Sequence, residues 1–333
     1  MVKFIHTYDD IISVENLLKA WKEFKKRKSK RDDVLEFERN LMDNIFSLYN
    51  DLKNKTYEHG KYEAFNISDP KPRNIHKATV RDRLLHHAIY RKLYPFFDRK
   101  FVADSFSCRK RKGTHRAINR FKDFARKESC NYTKTVWILK CDIRKFFASI
   151  NHKILIEILK EDIEEGNIIW LLTQIIKSFN STRIGVGLPL GNLTSQLLVN
   201  IYLNKFDQFI KHKLKVKYYI RYADDFVIFS QDKNRLELLL LQIDDFLREK
   251  LGLELNPKKV SIKTLSSGVD FLGWVHFPNY RVLRTATKRR LIRGIENSDS
   301  KQEVVQSYLG LLNHGNSEKL KRKIECFMVG NLF

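Results

Sequence analysis

Tyr218-Tyr219-Ile220-Arg221-Tyr222-Ala223-Asp224-Asp225-Phe226-Val227-Ile228-Phe229 reads as two β-rich runs that meet at a pair of acids. Aromatic and β-branched residues suit strands, and the short Ala223-Asp224-Asp225 break suits a hairpin turn. The pattern predicts strands over 216–222 and 226–229 with both carboxylates at the tip. Taken alone, an Asp-Asp pair is an ordinary choice for a turn. Inside an apolar hairpin, however, two adjacent carboxylates are costly unless a cation neutralises them.

Working outward, Thr135-Val136-Trp137-Ile138-Leu139-Lys140-Cys141-Asp142 predicts a buried strand that ends in a third acid, with a helix starting near Asn151. Three carboxylates at strand ends suit hard divalent ions, which prefer oxygen ligands, and would make a two-metal site. Apolar spacing predicts helices over 11–24, 34–52, 80–94, 195–213 and 233–250, and a small basic helical domain over 285–327. Short strands are expected over 253–262 and 269–275, and Pro70-Lys71-Pro72 reads as a turn. His86-His87 reads as a surface pair on its helix. With no regular βαβ rhythm and no glycine-rich phosphate loop, the class is α+β.

The 333 residues are 43% hydrophobic and 12% aromatic, enough for a large core and two or three subdomains. Against 39 Asp+Glu stand 63 Lys+Arg, and a net charge of +24 points to a polyanionic partner. Basic clusters recur at Lys25 to Arg31, at Arg73, Lys77, Arg81, Arg83 and Arg91, at Arg109 to Lys112, and near the C-terminus at Lys288, Arg289, Arg290, Arg293, Lys319, Lys321, Arg322 and Lys323. Cys108, Cys130, Cys141 and Cys326 have no Cys-x-x-Cys spacing, which argues against a zinc site or disulfide framework. No apolar run reaches membrane length and no signal segment opens the chain, so a cytoplasmic protein with no membrane contact is expected.

Five segments in order resemble the reverse transcriptase family. Asp142-Ile143-Arg144-Lys145-Phe146-Phe147, Gly187-Leu188-Pro189-Leu190-Gly191-Asn192-Leu193-Thr194-Ser195-Gln196 and Tyr222-Ala223-Asp224-Asp225 look like its three palm motifs. Leu253 to Lys259 and Phe271-Leu272-Gly273-Trp274 look like the two that follow. The resemblance implies a right-hand polymerase: N-terminal helices and fingers with part of the palm over 1–130, palm with a fingers insertion over 131–280, and a short helical thumb over 281–333. With 59 residues after Trp274, a maturase extension plus an endonuclease is not expected.

The resemblance also assigns roles. Asp142, Asp224 and Asp225, with the backbone carbonyl of Ile143, would hold two magnesium ions, with manganese as a substitute. Phe147 would be the gate that collides with a 2′-hydroxyl; the alternative is a core aromatic, since Phe146 and Phe147 continue an apolar stretch. Lys259 would donate a proton to the leaving pyrophosphate, and Phe271 to Trp274 would grip the primer end. Arg73, Lys77 and Arg81 resemble the segment that closes over the triphosphate. The implied partners are an RNA template, primer, cDNA and deoxynucleotide triphosphates.

Most members carry Gln-Gly and Ser-Pro in the second palm motif, where this chain has Leu190-Gly191 and Ser195-Gln196. That pattern, with Ser307-Tyr308-Leu309-Gly310 and Asn313-His314-Gly315-Asn316-Ser317, resembles the reverse transcriptases of diversity-generating retroelements. Membership of that group would imply copying of a template-repeat RNA with adenine-biased errors, an accessory variability protein, and a bacterial, archaeal or phage-encoded origin. In such an enzyme an aliphatic Leu190 would remove an amide from beside the nascent pair, and looser selection of the incoming base is the expected result. The alternative is a stand-alone retron-like or group II intron-derived enzyme. A metal-dependent nuclease or a non-catalytic nucleic-acid-binding protein would share the acids or the charge, but not all five segments in this order.

Overall fold

The computed structural model describes residues 3–68, 72–296, 301–322 and 324. The expected turn residues Pro70 and Lys71, the thumb cation Lys323 and Cys326 lie outside the described residues. Near the N-terminus, α1 (Tyr8–Ile12) and α2 (Val14–Lys25) replace the single helix expected over 11–24. Ser13 leaves the helical conformation between them and caps α2 by accepting from the Asn16 N–H. The helix expected over 34–52 is likewise two, α3 (Asp32–Arg39) and α4 (Leu41–Lys53), parted at Asn40, whose φ of −118° and ψ of 43° are not helical.

A hairpin of β1 (Glu63–Ile67) and β2 (Arg73–Lys77) comes next, then α5 (Val80–Lys100), capped by Thr79. The expectation ended α5 at Tyr94. It runs through Pro95 instead, because Leu93 and Phe97 are buried on either side and that packing offsets the hydrogen bond that proline removes. Then follow α6 (Thr114–Glu128), β3 (Trp137–Asp142), α7 (Phe146–Ser149), α8 (His152–Lys160), α9 (Gly166–Lys177) and α10 (Leu193–Gln208). After them come β4 (Tyr219–Tyr222), β5 (Asp225–Ser230), α11 (Lys233–Leu251), β6 (Ser261–Thr264), β7 (Val269–Phe271), β8 (Trp274–His276), β9 (Arg281–Leu283), α12 (Thr285–Glu296) and α13 (Lys301–Leu312).

Two expected strands are corrected. The stretch 253–262 holds a bridge at Leu255, a 3₁₀ turn over Pro257–Lys259 and only then β6, since Pro257 has no N–H for a ladder. The stretch 269–275 is the β7–β8 hairpin, turning at Leu272 and Gly273 with φ of 51° and 86°, the paired positive values of a type I′ turn.

The chain divides into two compact units. One holds residues up to Cys108 with Ile143–Lys215 and Ile243–Leu255; the other holds Arg109–Asp142, Val216–Gln242 and Asn256 onward. The first is mainly helical, with α2 and α10 packed on α5 and a core that includes Leu17, Phe24, Leu85 and Phe206. Its polar centre is Asp82, which accepts from Tyr57 Oη at 2.7 Å, Thr79 Oγ1 at 2.6 Å and the Gly60 N–H at 3.1 Å. His86 is buried beside it at 1% exposure, its Nε2 3.3 Å from His59 Nε2. The expected surface pair is therefore wrong at His86, because α5 is covered by its neighbours on that side too.

The second unit is built on an antiparallel sheet in the order β4-β5-β3-β6, with a separate antiparallel sheet β7-β8-β9. Helix α6 packs on β4 and β5, with the Phe121 ring 4.8 Å from that of Phe229. Trp274 of β8 is buried with Leu291 and Ile295 of α12 and Val305 and Leu312 of α13.

Candidate catalytic site

The ladder between β3 and β5 runs from Trp137 opposite Ser230 to Asp142 opposite Asp225, and Tyr222 of β4 faces Asp225 on the other side. Directly opposed residues of an antiparallel pair have Cβ atoms roughly 4.5–5.5 Å apart, so like charges there repel. Asp224 occupies the turn beside them. Ala223 adopts φ 55°, a strained value for a residue with a Cβ, and the fully buried Arg221 supports it by donating from Nη1 to the Ala223 carbonyl at 3.2 Å. Tyr222 Oη accepts from Thr114 Oγ1 at 3.1 Å, which ties the hairpin to α6.

Asp142 is 5% exposed, and both of its carboxylate oxygens accept from Lys259 Nζ, at 2.7 and 2.8 Å. Asn256 sets this pair up: its N–H donates to the Asp142 carbonyl at 2.8 Å and its side-chain oxygen caps the Pro257–Lys259 turn. Burial lowers the Lys259 ammonium's pKa, but its hydrogen bond to Asp142 and the charges of Asp142, Asp225 and Asp224 raise it net above the usual lysine value. The Asp225 carboxyl is pushed up to about 6. Burial is the main cause and the charges of Asp224 and Asp142 add to it, while Lys140 and Lys259 oppose it.

With Asp142 turned onto Lys259, no three His, Cys, Asp or Glu side chains among the described residues are grouped to hold an ion. The donor set still fits one. Opposed carboxylates, one buried and one half-buried and driven toward protonation, form the environment that a divalent cation relieves, and aspartate oxygens are the ligands magnesium prefers.

Ile143, Phe147, Leu190, Gly191, Gln196 and the cations Arg73, Lys77 and Arg81 belong to the first unit. Ile143 is buried and bridges to Leu255. Phe147 is half-buried on α7 while Phe146 fills the core, which speaks against the alternative of a core aromatic at Phe147. Leu190, Gly191 and Asn192 dock against β2: the His76 N–H donates to the Leu190 carbonyl at 2.9 Å, and Asn192 Nδ2 donates to the His76 carbonyl at 3.2 Å. Gln196 lies on the first turns of α10 and lines a cavity of about 290 Å³ with Lys28, Arg83, His86 and Gly191.

The three cations expected to close over a triphosphate differ. Lys77 pairs with Asp33 at 3.0 Å and Glu63 at 3.2 Å, and Arg81 pairs with Asp51. Arg73 is exposed and makes no ion pair among the described residues. Sequence reasoning gave no role to Arg221, Asn256 or Lys140. An arginine inside an apolar run was the signal for the first, and Asn-Pro before a lysine pair the signal for the second.

A profile of the reverse transcriptase (RNA-dependent DNA polymerase) family matches residues 66–276, more than half of the chain. Among curated proteins the chain is 26% identical over 244 residues to Protein YkfC of Escherichia coli, with 62% of this chain and 63% of that protein covered. It is 23% identical over 279 residues to the group II intron-encoded protein LtrA of Lactococcus lactis, covering 64% of this chain and 45% of the relative. It is 24% identical over 302 residues to a putative COX1/OXI3 intron 2 protein of Saccharomyces cerevisiae, covering 72% and 33%. The chain thus spans under two thirds of each. Among solved structures, apo telomerase of Candida tropicalis superposes with a TM-score of 0.51 at 14% identity, over 71% of this chain and 59% of that one. Telomerase of Candida albicans with a fragment of telomeric RNA gives 0.52 at 13%, over 77% and 53%. At such identities the likeness speaks for the fold alone, and the fold is that of a right-hand polymerase.

Proposed function

Since this chain belongs to the reverse transcriptase family, we propose that it is an RNA-directed DNA polymerase whose Asp142, Asp224 and Asp225 hold two magnesium ions. The observation that carries this is the opposition of Asp142 and Asp225 across the β3–β5 ladder, with Asp224 in the adjoining turn. Bound magnesium, or manganese in its place, supplies the charge that activates a primer hydroxyl and offsets that of the leaving pyrophosphate. The residues of the chain do the positioning. Arg221 fixes the turn that presents Asp224, and Asn256 fixes Lys259. Lys259 shields Asp142, and in this reading it hands a proton to the leaving group. Arg73 is the fingers cation with its guanidinium open for a triphosphate, whose oxygens suit its fork. Phe147 excludes the 2′-hydroxyl, and Phe271 to Trp274 hold the primer end on the β7–β8 turn.

The regions 1–130, 131–280 and 281–333 are assigned as fingers with N-terminal helices, palm and thumb. No described helix is long and apolar enough to cross a membrane; a cytoplasmic site of action is part of the proposal. Leu190 and Gln196 support a finer reading, a diversity-generating retroelement enzyme that copies a repeat RNA with an accessory variability protein and errs at template adenines. The likeness to LtrA supports a second, a group II intron-derived enzyme.

The deciding experiment supplies an RNA template, a DNA primer, deoxynucleotides and magnesium. Extension that falls at least about 100-fold in Asp224→Asn supports the polymerase; no magnesium-dependent extension, or extension indifferent to the substitution, overturns it. Scoring errors by template base then separates the finer readings: adenine-biased errors that Leu190→Gln suppresses favour the first, and unbiased copying favours the second.

A further inference from the structure

Within the second unit a pocket of about 570 Å³ lies between α6, the β8–β9 turn and the segment after α13, and none of the proposed catalytic residues lines it. It includes Asn313 to Asn316, which the sequence singled out and the polymerase reading leaves without a task. Arg281 joins the three segments. Its guanidinium donates to the His314 carbonyl, to the Ile118 carbonyl at 3.1 Å and to Asn119 Oδ1 at 2.9 Å. The Asn316 N–H donates back to the Arg281 carbonyl at 2.9 Å.

All of these partners are neutral. No Asp or Glu lines the pocket, and among the described residues no carboxylate pairs with Arg281 or with Lys122, the other cation there. Burial, with no acid to oppose it, holds the Arg281 guanidinium below its ordinary pKa. A half-buried cation without a counter-charge is costly, and an anion removes that cost. Three of the five guanidinium N–H groups are used, which leaves donors for phosphate oxygens.

The other lining groups suit a heterocyclic base. Phe277 and Tyr280 stack at 4.8 Å and 19°, and Tyr280 is 48% exposed, so part of its ring is open for stacking. Asn119, Asn279, Asn313 and Asn316 bring amides that donate and accept side by side, the pairing that fits an adenine edge. The buried Tyr132 Oη, also in the lining residues, has no hydrogen-bond partner.

We propose that this pocket binds a purine nucleoside phosphate, with its base on Tyr280 and its phosphate on Arg281 and Lys122. The unit can come as a free nucleotide or as an unstacked residue of an RNA strand. The proposal goes beyond the polymerase reading and does not rest on it.

Two photoreactive probes test it on the full chain: 8-azidoadenosine 5′-monophosphate, and a short single-stranded RNA with one 8-azidoadenosine. Mass spectrometry should find saturable adducts on the peptides that carry Tyr132 or Phe277 to Arg281. Labelling should fall at least about tenfold in Tyr280→Ala and in Lys122→Glu, persist in Tyr280→Phe, and persist in Asp224→Asn, which disables the proposed active site. Labelling by both probes admits both sources, and labelling by the strand alone assigns the pocket to RNA. No adduct on these peptides from either probe, or adducts indifferent to both Tyr280→Ala and Lys122→Glu, overturns the proposal. Tyr280 and Lys122 are both exposed, so their substitution leaves the core intact, and unchanged thermal melting verifies that.

Discussion

Asp142 and Asp225 oppose each other across a ladder, and Lys259 supplies the counter-charge that lets the pair coexist. We expect Lys259→Gln to slow primer extension about 100-fold in kcat with little change in the KM for template and primer, because the ammonium is held on an acid and not on nucleic acid. Single-turnover kinetics separate the two parameters. A second residue sets a pH dependence of stability. His276 lies against Phe121 at 4.1 Å between ring centres, and burial first, then the Arg281 charge, hold its pKa down at about 3. The unfolded chain takes this proton near 6.5 and the folded chain refuses it, so stability is complete above 6.5 and is lost as pH falls toward 3. Between pH 7 and 5 the loss from His276 is about 2 kcal/mol. Urea unfolding should show it, and His276→Gln should flatten that slope. The placement of the acids was legible in the sequence because strand ends and a turn mark them, whereas Arg221 and Asn256 act on backbone atoms and left only faint signals, an arginine in an apolar run and Asn-Pro before a lysine pair.

At the scale of elements, the second palm motif is held by a docking of loop on strand. Gly191 has φ 110°, and a Cβ there would stand 2.8 Å from Ile75 Cγ2 of β2. Gly191→Ala must therefore strain its backbone or push β2 aside, and we expect a loss of about 1–3 kcal/mol, seen as a lower thermal midpoint. Because β2 starts at Arg73, the same variant should raise the KM for deoxynucleotides more than it lowers kcat. The hairpin β1–β2 escaped sequence reading because its residues are exposed or only partly covered, with no apolar alternation to see. Several helix faces were legible, though not those of α6 and α9, and the breaks at Ser13 and Asn40 were not, since a single non-helical residue interrupts the backbone without disturbing the apolar period. The palm sheet was the clearest part. Its strands are short, apolar and bounded by acids or turns, and only the segment before β6 was misread, where Pro257 forbids a ladder.

For the whole molecule, the right-hand fold was legible only through five short segments in order; composition with the strand–helix pattern gave no more than a basic α+β protein. What composition did give is the charge. A net +24 with basic groups on several elements makes RNA binding an exchange of condensed counterions for lysine and arginine. A single strand that engages about six cations should show a slope of about −4 in log affinity against log salt, a loss of some two to three orders of magnitude between 50 and 200 mM. Fluorescence anisotropy with a labelled RNA measures this directly. Catalysis should respond differently, since Asp142 is buried and Asp225 half-buried, and such groups are screened less than surface charges. With template and primer saturating at each salt concentration, kcat should therefore change by less than about threefold over the same range. A kcat that fell in step with RNA affinity would mean that the acids face bulk solvent during turnover, contrary to the buried β3–β5 arrangement.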